Sequence, residues 1–316
     1  MTYHHTTSGH DEAGAGLDAI IGERRRLIAL AYRLLGSLAE AEDAVQETYT
    51  RWYAMSRPQQ DAIESHGAWL TTVATRVCLD LLGSARVRRE RYVGEWIPEP
   101  LPERTDWISG RQGTAANDPA DPADRVTLDE SVSMAFLVVL ESMTPAQRVA
   151  LVLHDVFGYP FGEIAGITGR TPAACRELAS AARRRVRASL PPETAPTAHQ
   201  ARLVRDFKRA WDAQDIDALM SLLAPGATFT ADGGGVVAAA LHPIEGREGI
   251  ARYLTDLTGR ASGGLAVLER TVNGRAGLVI EHEGVTVAVY AFDIADDRIA
   301  RIWAVRNPDK LRPWSR

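Results

Sequence analysis

Positive charge is in short supply: 36 Lys and Arg stand against 41 Asp and Glu, a formal net charge of −5. That balance excludes a generally basic nucleic-acid binder, so any such role must come from local clusters. Cysteine is scarcer still. Cys78 and Cys175 lie far apart, each in an apolar helical pattern. Buried thiols in a reducing compartment are expected, not a disulfide or a metal pair. No apolar run approaches the ~18 residues that a membrane span needs. The opening MTYHHTTSGHDEAGAG lacks the apolar segment of a signal peptide. The expectation is a soluble cytoplasmic protein with no cofactor and no metal. His4, His5 and His10 are read as part of a disordered tail over residues 1–17.

The chain does have length for more than one core. Two stretches divide it. Residues 96–125, from WIPEPLPERTDW onward, are rich in Pro, Gly and acid without apolar periodicity, and read as a linker. PPETAPT at 191–197 is a shorter one. Three modules follow, at 18–95, 126–190 and 198–316. Residues 1–128 hold 14 Lys/Arg against 19 Asp/Glu, whereas 129–196 (7 and 7) and 197–316 (15 and 15) are neutral.

The first two modules read as all-helical. Leu27, Leu30, Ala31, Leu34 and Leu35 keep helical spacing up to Gly36-Ser37. In LAEAEDAVQETYTRWY, Ala41, Ala44, Val45, Thr48 and Trp52 share one face, while Glu40, Asp43, Gln46, Glu47 and Arg51 share another. A third helix buries Leu70, Val73, Val77 and Leu81 and ends in Arg86, Arg88, Arg89 and Arg91. The second module contains TPAQRVALVLHDVF, with Thr144 as N-cap and Pro145 in the first turn, then FGEIAGI, a turn at Gly169, and TPAACRELASAARRRVRASL. The third module changes period: two helices lead into alternating stretches, with turns at Asn273-Gly274 and Asp296-Asp297. It reads as an α+β domain, a curved antiparallel sheet forming a half-open barrel with a cavity.

Helix, tight turn and N-capped helix make a helix-turn-helix pattern. In the last helix Ala174, Cys175, Leu178, Ala179, Ala182 and Val186 form an apolar stripe, facing Ile164, Ala165 and Ile167. Its other face carries Arg176, Glu177, Ser180, Arg183, Arg184 and Arg187. Arg176 suits a guanine edge and Glu177 a cytosine amine, while Arg183, Arg184 and Arg187 suit phosphates. A merely solvated arginine face is the alternative.

AEAEDAVQETYTRWY followed by AWLTTVATRVCLDLLGSARVRRE resembles region two of the extracytoplasmic-function sigma factors, and the stretch from VSMAF to RRRVR resembles their region four. The resemblance implies a subunit that binds core RNA polymerase through its beta and beta-prime subunits and directs it to promoter DNA. It assigns Asp43, Gln46 and Glu47 to the polymerase clamp. The loop from Arg57 to His66 becomes the pocket for a flipped −10 base. Trp69, Arg76 and Asp80, with Arg86, Arg88 and Arg89 on the backbone phosphates, become the −10 set. Trp69 fits a core position equally well. Arg176, Glu177, Ser180 and Arg183 fall at the −35 reading positions. The linker's acids, Glu99 among them, fit either a strand mimicking RNA charge in a polymerase channel or a solvated tether.

The third module resembles the SnoaL-like domains of the nuclear-transport-factor-like superfamily. One sigma-factor group carries such a fusion together with three signatures. Here they read WIPEP at Trp96, Ile97, Pro98, Glu99 and Pro100; DGGGV at Asp232, Gly233, Gly234, Gly235 and Val236; and NPDKL at Asn307, Pro308, Asp309, Lys310 and Leu311. Val236 replaces that group's lysine. The resemblance implies regulation in cis, with WIPEP and NPDKL as docking segments, and leaves room for a small-molecule ligand in the cone. The competing reading is a SnoaL-like cyclase or hydrolase fused to a DNA-targeting module, with Asp232, His242, His282 and Asp293 as its candidate acids and bases. No catalytic residue is expected, because no spacing pairs them.

Overall fold

The computed structural model describes residues 23–89, 92–102, 130–190, 197–260 and 264–315. The expected tail at 1–17, the linker beyond Pro102 and nearly all of PPETAPT lie outside the described residues, as do the side chains of 85–91, and with them those of Arg86, Arg88 and Arg89.

Helix α1, described over 23–35, stops at Gly36, whose φ of +71° is left-handed backbone, and Ser37 then caps α2 (Leu38–Tyr53). The buried face of α2 is Ala41, Ala44, Val45 and Thr48, as the periodicity requires. The stretch expected as an open loop instead begins with a helix, α3 (Arg57–Asp61), its Pro58 in the first turn and its Gln59 carboxamide accepting from the Ser56 amide at 2.8 Å. The long helix α4 (His66–Arg89) follows.

The second module runs α5 (Met134–Glu141), α6 (Pro145–Leu151) with a wider-wound extension at Val152–Val156, α7 (Phe161–Thr168) and α8 (Pro172–Ser189). Thr144 and Thr171 cap as expected, and Gly169 ends α7 at φ +65°. Two separate helical cores do not result. Leu27, Leu34, Val45 and Cys78 join Phe136, Leu151, Ile164 and Cys175 in one continuous cluster, and both cysteines are free and buried. Arg148 of α6 is buried across this seam, donating to the Leu34 carbonyl at 2.6 Å and to Glu141 at 2.8 Å; burial lowers its pKa to about 10.

The third module packs α9 (Thr197–Asp212), α10 (Ile216–Leu222) and α11 (Arg247–Arg260) on one face of a six-stranded sheet. Its strands are β1 (Leu223–Asp232), β2 (Ile244–Glu245), β3 (Leu265–Val272), β4 (Arg275–His282), β5 (Val285–Ala295) and β6 (Arg298–Val305), in spatial order β2-β1-β6-β5-β4-β3. The expectation of a wholly antiparallel sheet is corrected: β1 and β6 run parallel. After β1 the chain leaves through β2 and α11, so β6 returns beside β1 in the same direction. The turns at Asn273-Gly274 and Asp296-Asp297 have the positive φ values that tight hairpins demand.

Both faces of the sheet are covered, which explains the unbroken burial of Ala288 to Phe292 in β5. One face encloses the cone around Phe207, Trp211 and Tyr290. The other, with Val279, Val289 and Trp303, packs against Met134 and Ala135 of α5 and against Ile97 and Leu311.

Candidate functional site

The stretch from Trp96 to Leu101 has a composition that by itself implies a solvated tether. Its first residues are instead buried: Ile97, Glu99 and Leu101 are 1%, 3% and 0% exposed. Three prolines in seven residues prearrange an extended strand, so little chain entropy is lost when it docks.

On one side this strand meets the first module. The Glu99 amide donates to the Gly36 carbonyl at 2.7 Å, and its carboxylate accepts from the Leu38 amide at 2.8 Å and the Ser37 hydroxyl at 3.1 Å. A carboxylate is thus held at the N-terminus of α2, where free N–H groups favour negative charge. Burial, the largest influence, nevertheless raises the Glu99 pKa. A methyl group on Gly36 would lie 2.9 Å from the Trp96 ring, so this close approach requires glycine.

On its other side the strand meets the cone, where the three signatures converge. Asp232, at the end of β1, is fully buried. Its carboxylate accepts from the Tyr92 hydroxyl at 2.5 Å, the Ile97 amide at 3.1 Å, the Gly234 amide at 3.0 Å and the Lys310 ammonium at 2.6 Å. Lys310 also donates to the Ile97 carbonyl at 2.5 Å and stands 4.0 Å from the centre of the Trp96 ring. Asn307 donates to Tyr92 at 2.9 Å and presses against Gly234, where a Cβ would come within 2.5 Å of it. Burial, reinforced by Asp232, holds the Tyr92 hydroxyl above its ordinary pKa, so it remains a donor. Leu311 packs with Ile97, and Pro308 and Asp309 stay exposed. Val236 is 78% exposed, so its side chain stands outside this buried cluster.

A second junction went unread in the sequence. Asn273 looked like a turn residue only. Its side chain accepts from the Leu101 amide at 3.0 Å and donates at 2.9 Å both to the Tyr32 hydroxyl and to the Val132 carbonyl. Tyr32 in turn donates to the Glu99 carbonyl at 2.7 Å, and the Trp314 indole donates to the Pro100 carbonyl at 2.8 Å. One asparagine therefore ties all three modules and the docked strand together. Hairpin chemistry masked it, because an Asn is expected at that turn whether or not its side chain has other partners.

The other expected residues are scattered. Asp43, Gln46 and Glu47 line the exposed face of α2, with Glu47 paired to Arg51 at 2.9 Å. Trp69 is half-buried, its ring edge-on to Trp52 at 5.2 Å, and Asp80 is exposed. Arg76 donates to the carbonyls of Gly166 and Ile167, both at 3.1 Å, and so caps α7 of the second module. On α8, Arg176, Glu177, Ser180, Arg184 and Arg187 are exposed. Arg176 lies over the Phe161 ring and Arg184 donates to Ser180. Arg183 is different: it forms a two-pronged pair with buried Asp155, at 2.7 and 2.6 Å. The candidate acids and bases do not assemble. Asp232 belongs to the cluster above, Asp293 pairs with Arg301 near the second module, and His242 is exposed; His282 alone lines the cone cavity.

Two helical modules, the second built around a helix-turn-helix, joined to an α+β cone define a DNA-directed transcription factor with an appended domain. Residues 21–88 match the family described as Sigma-70 region 2, 133–186 Sigma-70, region 4, and 204–302 the SnoaL-like domain. The chain is 37% identical over 299 residues to the ECF RNA polymerase sigma factor SigJ of Mycobacterium tuberculosis, covering 91% of this chain and 90% of that one. It is also 37% identical to the probable ECF RNA polymerase sigma factor SigI of the same species, over 69% of each. The crystal structure of the M. tuberculosis SigJ superposes with a TM-score of 0.70 at 33% identity, over 94% of this chain and 98% of that one. The chain belongs to the ECF RNA polymerase sigma factors and carries a fused SnoaL-like domain. Sigma-factor function therefore stands over the fused cyclase or hydrolase. No helix among the described residues is long and apolar enough to cross a membrane.

Proposed function

We propose that this sigma factor, acting in the cytoplasm, is regulated in cis by its cone, and that the strand from Trp96 to Leu101 is the latch. The observation that carries this reading is the fully buried Asp232 carboxylate, shared between Lys310 of the cone, Tyr92 at the end of the first module and Ile97 of the linker. Docked, the latch sets the two helical modules against the cone, with Arg76 spent on α7 carbonyls instead of DNA. Released, it frees region two to engage core polymerase through Asp43, Gln46 and Glu47 and the −10 element through Trp69, Arg76, Asp80, Arg86, Arg88 and Arg89. Arg176, Glu177, Ser180, Arg184 and Arg187 then read or hold the −35 element, and Arg183 chiefly supports α8 through Asp155. The cone binds and regulates; it performs no chemistry.

Run-off transcription with core polymerase tests this. Trp96→Ala removes the ring that covers Lys310 and Gly36, so transcription at limiting sigma should rise by about tenfold, the equivalent of ~1.4 kcal/mol. Unchanged or lower output from a folded variant sinks the latch.

A further inference from the structure

The concave interior of the cone is a cavity of about 360 Å³ that the latch does not use. That volume is in the range of small-molecule clefts. Its walls are apolar, with Leu257, Val267, Ile280 and the ring of Trp211, whose indole N–H is already given to the Leu254 carbonyl at 2.9 Å. Four polar residues, Thr258, His282, Tyr290 and Arg306, interrupt them, and two of these stand out by their hydrogen bonding. Tyr290, only 1% exposed, lines the cavity, and its hydroxyl has no hydrogen-bond partner among the described residues. Burial keeps that hydroxyl protonated, and hence a donor. The second is Arg306, just past β6. The residue lines the same cavity; its guanidinium donates to the Ala238 carbonyl in an exposed hydrogen bond and has no carboxylate partner among the described residues. An uncompensated cation beside an apolar wall favours an anion. His282 also lines the cavity, but among the described residues no carboxylate does, so they present no acid–base pair ready for turnover.

We infer that the cone is a receptor site for a flat apolar acid, an aromatic carboxylate of roughly two or three fused rings, whose acid group accepts from Tyr290 and Arg306. Its rings lie along Trp211 and Ile280. Binding itself is independent of the latch, but its consequence rests on the latch reading. The Arg306 amide donates to the Asp232 carbonyl at 2.7 Å, and the next residue, Asn307, holds Tyr92. An acid drawn to the Arg306 side chain therefore acts on the short segment that grips the linker.

The probes are 2-naphthoate and its neutral counterpart 2-naphthamide, titrated calorimetrically into the full-length wild type, Tyr290→Phe and Arg306→Gln. Naphthoate should bind the wild type at least tenfold more tightly than naphthamide. Each substitution should lower naphthoate affinity about tenfold, ~1.4 kcal/mol, and Arg306→Gln, which removes only the charge, should leave naphthamide nearly unchanged. Equal affinities for the two probes on the wild type overturn the inference, whatever the variants do. So does the absence of naphthoate binding at about 1 mM, or an affinity indifferent to Arg306→Gln. Amide exchange at Ile97 under saturating naphthoate separates the two readings. A change supports the coupling, whereas none, with binding intact, overturns the coupling and leaves the receptor assignment standing.

Discussion

Replacing Asp232 by Asn is the sharpest perturbation of the latch. The carboxylate takes four donors, one from the end of the first module, one from the linker and two from the cone. Asn keeps one oxygen, so the Tyr92 bond can persist, but Lys310 loses its counter-charge in a site where its side chain is 9% exposed. Breaking one half of a buried ion pair costs ~3–5 kcal/mol. In the undocked state Trp96 and Tyr92 no longer cover Lys310, so the ammonium regains water. Nearly all of the penalty therefore falls on the docked state. Taking the lower figure, ~3 kcal/mol, the latch opens roughly 100-fold more often. Hydrogen exchange at the Ile97 amide reads that opening directly. The second charge provides an internal control: Asp232→Asn combined with Lys310→Met removes both members of the pair and should recover much of the lost protection. Undiminished Ile97 protection in the single variant, or no recovery in the double, would refute this reasoning.

Three further predictions concern neighbouring features. Gly36→Ala forces a side chain onto left-handed backbone and against Trp96; the strain of ~1–2 kcal/mol should lower Tm by roughly 2–3 °C in calorimetry and raise Ile97 exchange. The raised Glu99 pKa makes its contribution to latch stability complete below the usual carboxylate range and lost as pH rises through the raised value. Glu99→Gln should flatten that part of the pH dependence of Ile97 exchange while keeping an acceptor for Leu38, and a profile parallel to wild type would contradict it. On α8, Arg183→Ala strands buried Asp155 and should cost ~3–5 kcal/mol in denaturant unfolding, whereas Arg176→Ala should change stability by less than about 0.5 kcal/mol and reduce discrimination at one −35 base pair, read in binding assays with core enzyme.

Much of this architecture was legible because local chemistry and global packing agree. Gly36-Ser37, Thr144-Pro145 and Thr171-Pro172 mark helix boundaries by themselves, and the structure places caps at all three. The parallel pairing of β1 with β6 was not legible, since alternation reports which face is buried but not which neighbour a strand finds. The three signatures marked segments that meet in the structure, but not the atoms through which they meet. Nothing in DGGGV says that the aspartate accepts from a linker amide, and nothing in WIPEP says that its glutamate meets the start of α2. Tyr32, Tyr92 and Asn273 left no sequence signal because each fits an ordinary position, helix core, segment end or hairpin turn. Arg183 shows the opposite failure. Its spacing fits a DNA-facing position, yet Asp155, on the wider-wound extension of α6, reaches it first.

The central claim is that the strand from Trp96 to Leu101 is docked in the free sigma factor and released in the working complex. Hydrogen exchange of that segment, measured in the free chain and again when bound to core RNA polymerase, tests it most directly. The account predicts slow exchange at Ile97, Glu99 and Leu101 in the free chain and fast exchange in the complex. Slow exchange in both states would make the strand a permanent brace and contradict the account.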